Sequence, residues 1–257
     1  MATRVPSNEI DVPVKHGMMH CLIQGQGDPI VLLHGALGTG QAHFPGQIEA
    51  FSTNYQVIAP DFLGYGSSGR RVSFDPNFHH QDAEDVGALL EYLHLPPLHL
   101  CGFSDGAVIA MIAAGMLRDS IRSLVLVGGQ TLLDEQVMEV TRQWSLADQL
   151  PQGFQDALAR RHGDPYWREM VVAYVSAVER LYENGGEMVS NHLNDITCPT
   201  LIVHGENDPW VNPLHAHKLY QVIRGSELEF MPSGGHDVQR ESPEAFNALV
   251  LKFLSKH

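Results

Sequence analysis

The chain has 257 residues, 44% of them apolar and 18% charged, a composition that builds a buried core and excludes an intrinsically disordered protein. Its 30 acidic and 16 basic residues leave a formal charge of −14; such a surface repels phosphate backbones and anionic lipid, which excludes nucleic acid and membrane as partners. No apolar run approaches the roughly 18 residues that a bilayer span requires.

Residues 1–14 are polar, are broken by Pro6 and Pro13, and lack the charged-then-apolar layout of a secretory signal. Cys21, Cys101 and Cys198 are odd in number and far apart, which fits free thiols in a reducing, cytoplasmic setting. The fifteen histidines are scattered. The closest pairs, His79-His80 and His215-x-His217, lack the accompanying ligands of a zinc site, so no metal is expected.

Taken in chain order, residues 10–14 and 18–23 are expected to pair antiparallel at one edge of a sheet. Aliphatic runs follow at 30–33, 56–59, 98–102, 123–127 and 200–203. Each is short, continuous and bounded by Gly, Pro or Asp, the pattern of strands buried on both faces. Glu227–Met231 alternates more and reads as an edge strand. Helical periodicity occupies 82–93, 106–117, 213–223 and Pro243–Leu254, the last opened by Ser242 as N-cap and Pro243 in the first turn. Strand and helix alternating in this way predict a mostly parallel, doubly wound α/β sheet.

One region breaks the alternation. Residues 129–195 contain no convincing strand but three amphipathic segments, Glu135–Trp144, 153–161 and 166–182, with Trp144 and Trp167 among them. About 65 residues is far more than a crossover needs. The organisation expected is a core of residues 1–128 and 196–257 carrying a helical cap at 129–195.

The chemistry is read at strand ends. Gly102-Phe103-Ser104-Asp105-Gly106 directly follows one strand and opens a helix. In a G-x-S-x-G turn of this kind, glycines two residues either side of the serine let backbone segments pass, and the hydroxyl is held beside a helix N-terminus. A serine hydroxyl at neutral pH needs an imidazole to accept its proton and a carboxylate to orient that imidazole. With the nucleophile on such a turn, the acid and then the histidine follow later in the chain.

His204-Gly205-Glu206-Asn207-Asp208-Pro209 supplies Asp208 after one later strand, with Glu206 as the rival acid. Pro232-Ser233-Gly234-Gly235-His236 supplies His236 after the next. All three candidate catalytic residues thus follow the carboxyl ends of strands, where open α/β sheets bind ligands. The loop Leu32-Leu33-His34-Gly35-Ala36-Leu37-Gly38 is the expected partner for the oxyanion. The backbone N–H groups of Ala36 and Asp105 are its candidate donors, each contributing on the order of 3–4 kcal/mol. His34 is expected to pack and hydrogen-bond locally. The glycine-rich stretch Asp61-Phe62-Leu63-Gly64-Tyr65-Gly66-Ser67-Ser68 reads as a structural loop near the pocket.

On these motifs the sequence resembles the α/β-hydrolase family over nearly its whole length. Within it, Gly102–Gly106, the run Cys198-Pro199-Thr200-Leu201-Ile202-Val203-His204-Gly205-Glu206-Asn207-Asp208-Pro209 and Met231-Pro232-Ser233-Gly234-Gly235-His236 are similar to the biphenyl hydrolase-like (valacyclovir hydrolase) branch. That resemblance implies a cofactor-free serine hydrolase that passes through an acyl-enzyme on a small-molecule ester. It also implies that the acid after the nucleophile, Asp105, binds the α-ammonium of amino-acid esters. The residues themselves leave a second role open to Asp105, a favourable charge in the first turn of its helix. Ala107 and Leu63 depart from the branch, at places where glycine and arginine are frequent.

Leu37, Phe103, Trp144 and Trp167 complete the candidate substrate-binding set, and Tyr174 is expected to join the two tryptophans in shaping an apolar pocket under the cap. A carbon–carbon bond hydrolase of ring-cleavage products, a lactonase, a thioesterase, a perhydrolase and a non-catalytic ligand receptor are the alternatives on the same fold. Oligomeric state is not legible in the sequence.

Overall fold

A computed structural model describes residues 7–71, 73–189 and 192–257. Residues 1–6 of the N-terminal segment and residues 190–191 of the expected cap lie outside the described residues. The strands are β1 (Ser7–Val14), β2 (Gly17–Gln24), β3 (Asp28–Leu33), β4 (Tyr55–Pro60), β5 (Leu98–Phe103), β6 (Ile121–Val127), β7 (Thr200–Gly205) and β8 (Glu227–Met231). They form one sheet in the order β1-β2-β4-β3-β5-β6-β7-β8. The β1–β2 and β2–β4 pairs are antiparallel; every later pair is parallel.

The continuous apolar runs have a simple origin. Ile30, Leu32, Cys101, Phe103, Val125, Val127, Leu201 and Val203 pack into a core on one face. The residues between them, Val31, Leu33, Leu100, Leu124, Leu126 and Ile202, pack into a core on the other. Because side chains alternate across a strand, a strand covered on both faces must be apolar at every position. Strand β8 keeps the alternating burial of an edge strand.

The helices are α1 (Gly40–His43), α2 (Pro45–Phe51), α3 (Phe78–Tyr92), α4 (Asp105–Met116), α5 (Glu135–Trp144), α6 (Gln152–His162), α7 (Tyr166–Glu183), α8 (Leu214–Val222), α9 (Val238–Glu241) and α10 (Pro243–Leu254). Helix α4 is buried on nearly every side from Gly106 to Gly115, so it is apolar all round rather than amphipathic. It fixes the turn that precedes it.

Between β6 and β7 the described residues hold α5, α6 and α7, with α7 packed against both others. Met138, Leu158, Trp167, Met170 and Val175 from these helices join the same apolar cluster as Leu33 and Leu126 of the sheet. That continuity anchors the helical layer over the carboxyl ends of the strands.

Candidate active site

The sheet order reverses between β3 and β5, which run side by side although the chain between them forms β4. Such a switch point opens a crevice at the strands' carboxyl ends, and Ser104 sits there. Its backbone, at φ 54° and ψ −120°, is outside the regions L-residues favour. Strain of this kind persists only where the surroundings hold it. Ser104 N–H donates to the Val127 carbonyl at 2.9 Å, prolonging the sheet by one bond before helix α4 begins. A Cβ on Gly102 would collide with the Gly106 carbonyl, and one on Gly106 with that of Leu33. Both positions therefore require glycine.

Asp208 and His236 come together from separate loops. His236 Nδ1–H donates to Asp208 Oδ2 at 2.7 Å, with both side chains buried. The two loops are tied by Asn207 N–H donating to the Gly234 carbonyl at 2.9 Å. Asp208 Oδ1 accepts from the Trp210 and Val211 amides at 2.8 and 2.9 Å. His204 Nε2 lies 3.2 Å from Asp208 Oδ2 and 3.0 Å from the Val211 carbonyl. Burial pushes the Asp208 pKa upward, but the hydrogen bonds from His204 and His236 outweigh it and hold the carboxyl far below the usual range. Glu206, the rival acid, instead accepts from the Ser233 amide at 3.2 Å on the surface. Ser104 and His236 border the same two cavities. No hydrogen bond joins the Ser104 hydroxyl to the imidazole among the described residues, and in ligand-free sites such contacts commonly close only when substrate binds.

The candidate oxyanion donors lie on either side of Ser104. A Cβ on Gly35 would approach the Ser104 Cβ to 2.9 Å, which brings the 34–38 loop against the serine. Ala36 borders both cavities. Asp105 opens α4, so its N–H belongs to the first-turn amides that have no intrahelical acceptor.

Three neutral histidines hold the loops around Ala36. His34 Nδ1–H donates to the Gly35 carbonyl at 2.8 Å while its Nε2 accepts from Phe62 N–H at 3.0 Å. His43 Nδ1 accepts from Gly35 N–H at 3.0 Å. His162, at the end of α6, accepts from Gly66 N–H at 2.9 Å and donates to the Leu37 carbonyl at 3.1 Å. Burial drives the pKa of His34 and of His162 down to about 4, and that of His43 well below its ordinary value. The 61–68 stretch is a structural loop: Asp61 accepts from the Gly40 and Ser67 amides at 3.0 and 3.1 Å.

The substrate-facing space has two parts. An inner pocket of about 40 Å³ is bordered by Asp105, His79, Gln130, Leu133, Val137, Thr141, Trp144, Tyr174 and Trp210, among others. An outer cavity of about 310 Å³ is bordered by Leu37, His43, Phe103, Trp144, Phe154, Arg161, Trp210, Asp237 and Arg240, among others. Asp105 Oδ2 accepts from the Tyr174 hydroxyl at 2.8 Å, and Oδ1 lies 3.5 Å from His79 Nε2. Burial pushes the Asp105 pKa upward, but His79 and the Tyr174 hydroxyl outweigh it, so the carboxyl titrates below its ordinary value.

Of the residues singled out from sequence, Ala36, Leu37, Phe103, Ser104, Asp105, Trp144 and His236 border these cavities. Asp208 stands behind His236. Trp167 does not reach either cavity. It is 1% exposed, its indole N–H donates to Asp164 at 3.1 Å, and it belongs to the inward stripe of α7. Trp210 takes the place expected of it, with its ring 5.1 Å from His236 and 6.1 Å from Trp144. Its position two residues after Asp208 was the available signal. Tyr174, read from the sequence as a pocket aromatic, does border the inner pocket, whereas Gln130, His79, Arg161 and Arg240 carry no motif and are gathered by the fold alone.

Among the described residues, no group of three or more His, Cys, Asp or Glu side chains is arranged to hold a metal ion. Nor is any helix among them long and apolar enough to cross a membrane. Cys21 and Cys101 are buried free thiols that burial pushes up to about 12.

The comparisons with known proteins agree with this geometry. Serine hydrolase BPHL of Mus musculus is 31% identical over 256 residues, covering 98% of this chain and 87% of the relative. The 2-hydroxy-6-oxo-2,4-heptadienoate hydrolase of Pseudomonas putida is 26% identical over 254 residues, covering 90% of each. Among solved structures, 2-hydroxy-6-oxo-6-phenylhexa-2,4-dienoate hydrolase from Rhodococcus sp. strain RHA1 superimposes with a TM-score of 0.83 at 18% identity, covering 98% of this chain and 99% of that one. At that identity the likeness speaks for the fold. The profile of the alpha/beta hydrolase family matches residues 30–249, and with the sheet order, the strained serine turn and the relatives in agreement, this chain belongs to that family and is a hydrolase.

Proposed function

We propose that the protein is a serine hydrolase of carboxylic esters, with Ser104 as nucleophile, His236 as general base and acid, and Asp208 as the group that orients the imidazole. The observation that carries this reading is the 2.7 Å Asp208–His236 hydrogen bond, whose imidazole borders the same cavities as the strained Ser104. With Nδ1–H committed to the carboxylate, Nε2 is left as an acceptor for the serine proton. Attack on an ester carbonyl gives a tetrahedral oxyanion that the Ala36 and Asp105 amides stabilise. The alkoxide leaves with the proton from His236, and water then repeats the sequence on the acyl-enzyme. Residues 129–195 act as the cap that shapes the acyl pocket.

The finer reading is that the preferred acyl group is an α-amino acid. Asp105 is a carboxylate held ionised on the wall of a small pocket, and Gln130 Oε1 on the same lining is buried without a partner among the described residues. Two acceptors on the pocket that Ser104 borders suit an ammonium group. Relatives named as hydrolases of 2-hydroxy-6-oxo-dienoates favour a second reading on the same machinery, carbon–carbon bond hydrolysis of ring-cleavage products. A fluorophosphonate probe should label Ser104 and fail on Ser104→Ala. A panel of aminoacyl, neutral and dienoate substrates should then show the highest kcat/KM on aminoacyl esters; higher turnover of the dienoates would favour the second reading.

A further inference from the structure

The outer cavity carries charge that the proposed triad does not use. Arg161, half-buried in the last turn of α6, and Arg240, on α9, both border it. In a chain with 30 acids against 16 bases, two guanidinium groups against one carboxylate, Asp237, give this cavity a lining of the opposite sign to the protein as a whole. Arg240 is 40% exposed and is paired with Asp237 at 3.1 Å. Arg161 is paired with no carboxylate among the described residues. Burial, and after it the neighbouring Arg240 and Arg160, disfavour its charge, and Asp237 offsets them only in part.

The dipole of α6 accounts for a cation in its last turn, and the exposed Arg160 meets that need without entering a cavity. It does not account for a second, half-buried guanidinium beside another cation. Arg161 also borders a separate cavity of about 460 Å³ walled in part by Glu9, His20 and Asp61. Asp61 offers it no ion pair, because its oxygens accept from the Gly40 and Ser67 amides.

The two parts of the substrate space are opposite in sign. Asp105 borders the inner pocket, Arg161 and Arg240 outnumber Asp237 on the outer cavity, and Ser104 and His236 border both. We propose that Arg161, flanked by Arg240, is an anion subsite that binds a carboxylate or phosphate carried on the leaving group of the substrate. Placing the anion on the leaving-group side rests on Ser104 being the attacking group; the subsite itself does not. The substrate class that follows is an acyl ester, cationic on the acyl side, of an alcohol that carries a negative charge.

Matched aryl acetates test this: phenyl acetate, para-acetoxybenzoate and para-acetoxyphenyl phosphate, each with the wild-type protein, Arg161→Gln and Arg161→Lys. Comparing variant with wild type on each ester cancels the esters' own differences in reactivity. Arg161→Gln should lower kcat/KM about tenfold on the anionic esters, chiefly through KM, and by less than about twofold on phenyl acetate. Lysine keeps the charge but not the planar fork, and should restore part of the loss. The carboxylate and phosphate arms show which anion is preferred.

Binding of para-acetoxybenzoate to Ser104→Ala, with and without Arg161→Gln, reads the same contrast as Kd without turnover. Equal losses on all the esters together with equal Kd values overturn the subsite and leave the hydrolase reading intact. An Arg161-dependent Kd in a protein that turns over no ester keeps the subsite and overturns the hydrolase reading.

Discussion

Two carboxylates stand at the reaction centre, Asp208 buried and Asp105 with 14% of its side chain exposed, and their surroundings differ. Every lone pair of Asp208 that faces the protein is engaged: Oδ1 accepts from two amides, and Oδ2 is met by His236 and His204. Asp105 accepts one short hydrogen bond, from Tyr174, and has His79 at 3.5 Å. Both are held ionised below the ordinary range. A saturated carboxylate can only orient its partners; one with acceptor capacity left over, at the wall of a pocket, can receive a ligand. The contrast separates a positioning group from a recognition group within one site.

The sharpest way to break the comparison is to remove each charge while keeping its shape. Asp208→Asn would set an amide N–H₂ against His236 and favour the wrong imidazole tautomer. On the proposed triad it should lower kcat by on the order of 10⁴ on every ester, with KM little changed. A loss under tenfold would remove Asp208 from the mechanism. Asp105→Asn should act differently, lowering kcat/KM for aminoacyl esters by about a hundredfold and for neutral esters by less than about threefold. Equal losses on both would make Asp105 a structural charge at the start of α4.

The same contrast explains what was legible in the sequence. Ser104, Asp208 and His236 each follow a strand, and a strand buried on both faces announces itself as a continuous apolar run. The strands at 98–103 and 200–205 could be found in that way and the edge strand at 227–231 by its alternation, and with them the loops that follow. The partners of Asp105 could not. Tyr174 and Trp167 lie seven residues apart on α7, and both are buried on its inward side. The sequence pattern shows that the helix has an apolar face but not which of its aromatics meets the pocket and which fills the core. The short helices α1 and α9, of four residues each, are below the length at which periodicity is visible. Arg161 reads from sequence as an ordinary cation at a helix end, and only the cavity distinguishes it from Arg160.

A smaller effect sharpens the comparison from the side of stability. Tyr174→Phe removes the one short hydrogen bond to Asp105. A buried carboxylate that loses a donor of this kind should destabilise the fold by about 1.5–3 kcal/mol in denaturant unfolding and should titrate higher than before. Since Asp208 has other donors, His204→Phe should cost less per hydrogen bond lost and should appear chiefly in kcat. If Tyr174→Phe left stability unchanged, Asp105 would already have a solvent or ligand partner sufficient to replace the hydroxyl.

The last expected effect concerns the histidines that hold the loops around Ala36. His34 and His162 have folded-state pKa values lowered to about 4, whereas in the unfolded chain a histidine titrates near 6.5. Between those values the unfolded chain binds the proton and the folded one does not, so stability must rise with pH across that window. The contribution is complete above about pH 6.5 and is lost as the pH falls toward 4, with a slope on the order of 1 kcal/mol per pH unit for each histidine. His162→Gln keeps a side chain able to reach Gly66 N–H or the Leu37 carbonyl but cannot take up a proton. Urea unfolding followed from pH 7 to pH 4.5 should show a shallower decline for this variant than for wild type. Because His162 joins α6 to the loop that carries Ala36, ester turnover should fall over the same interval in wild type and less steeply in the variant. Parallel pH profiles for the two proteins would show that His162 takes up its proton as readily in the folded chain as in the unfolded one and does not couple the helical layer to the oxyanion loop.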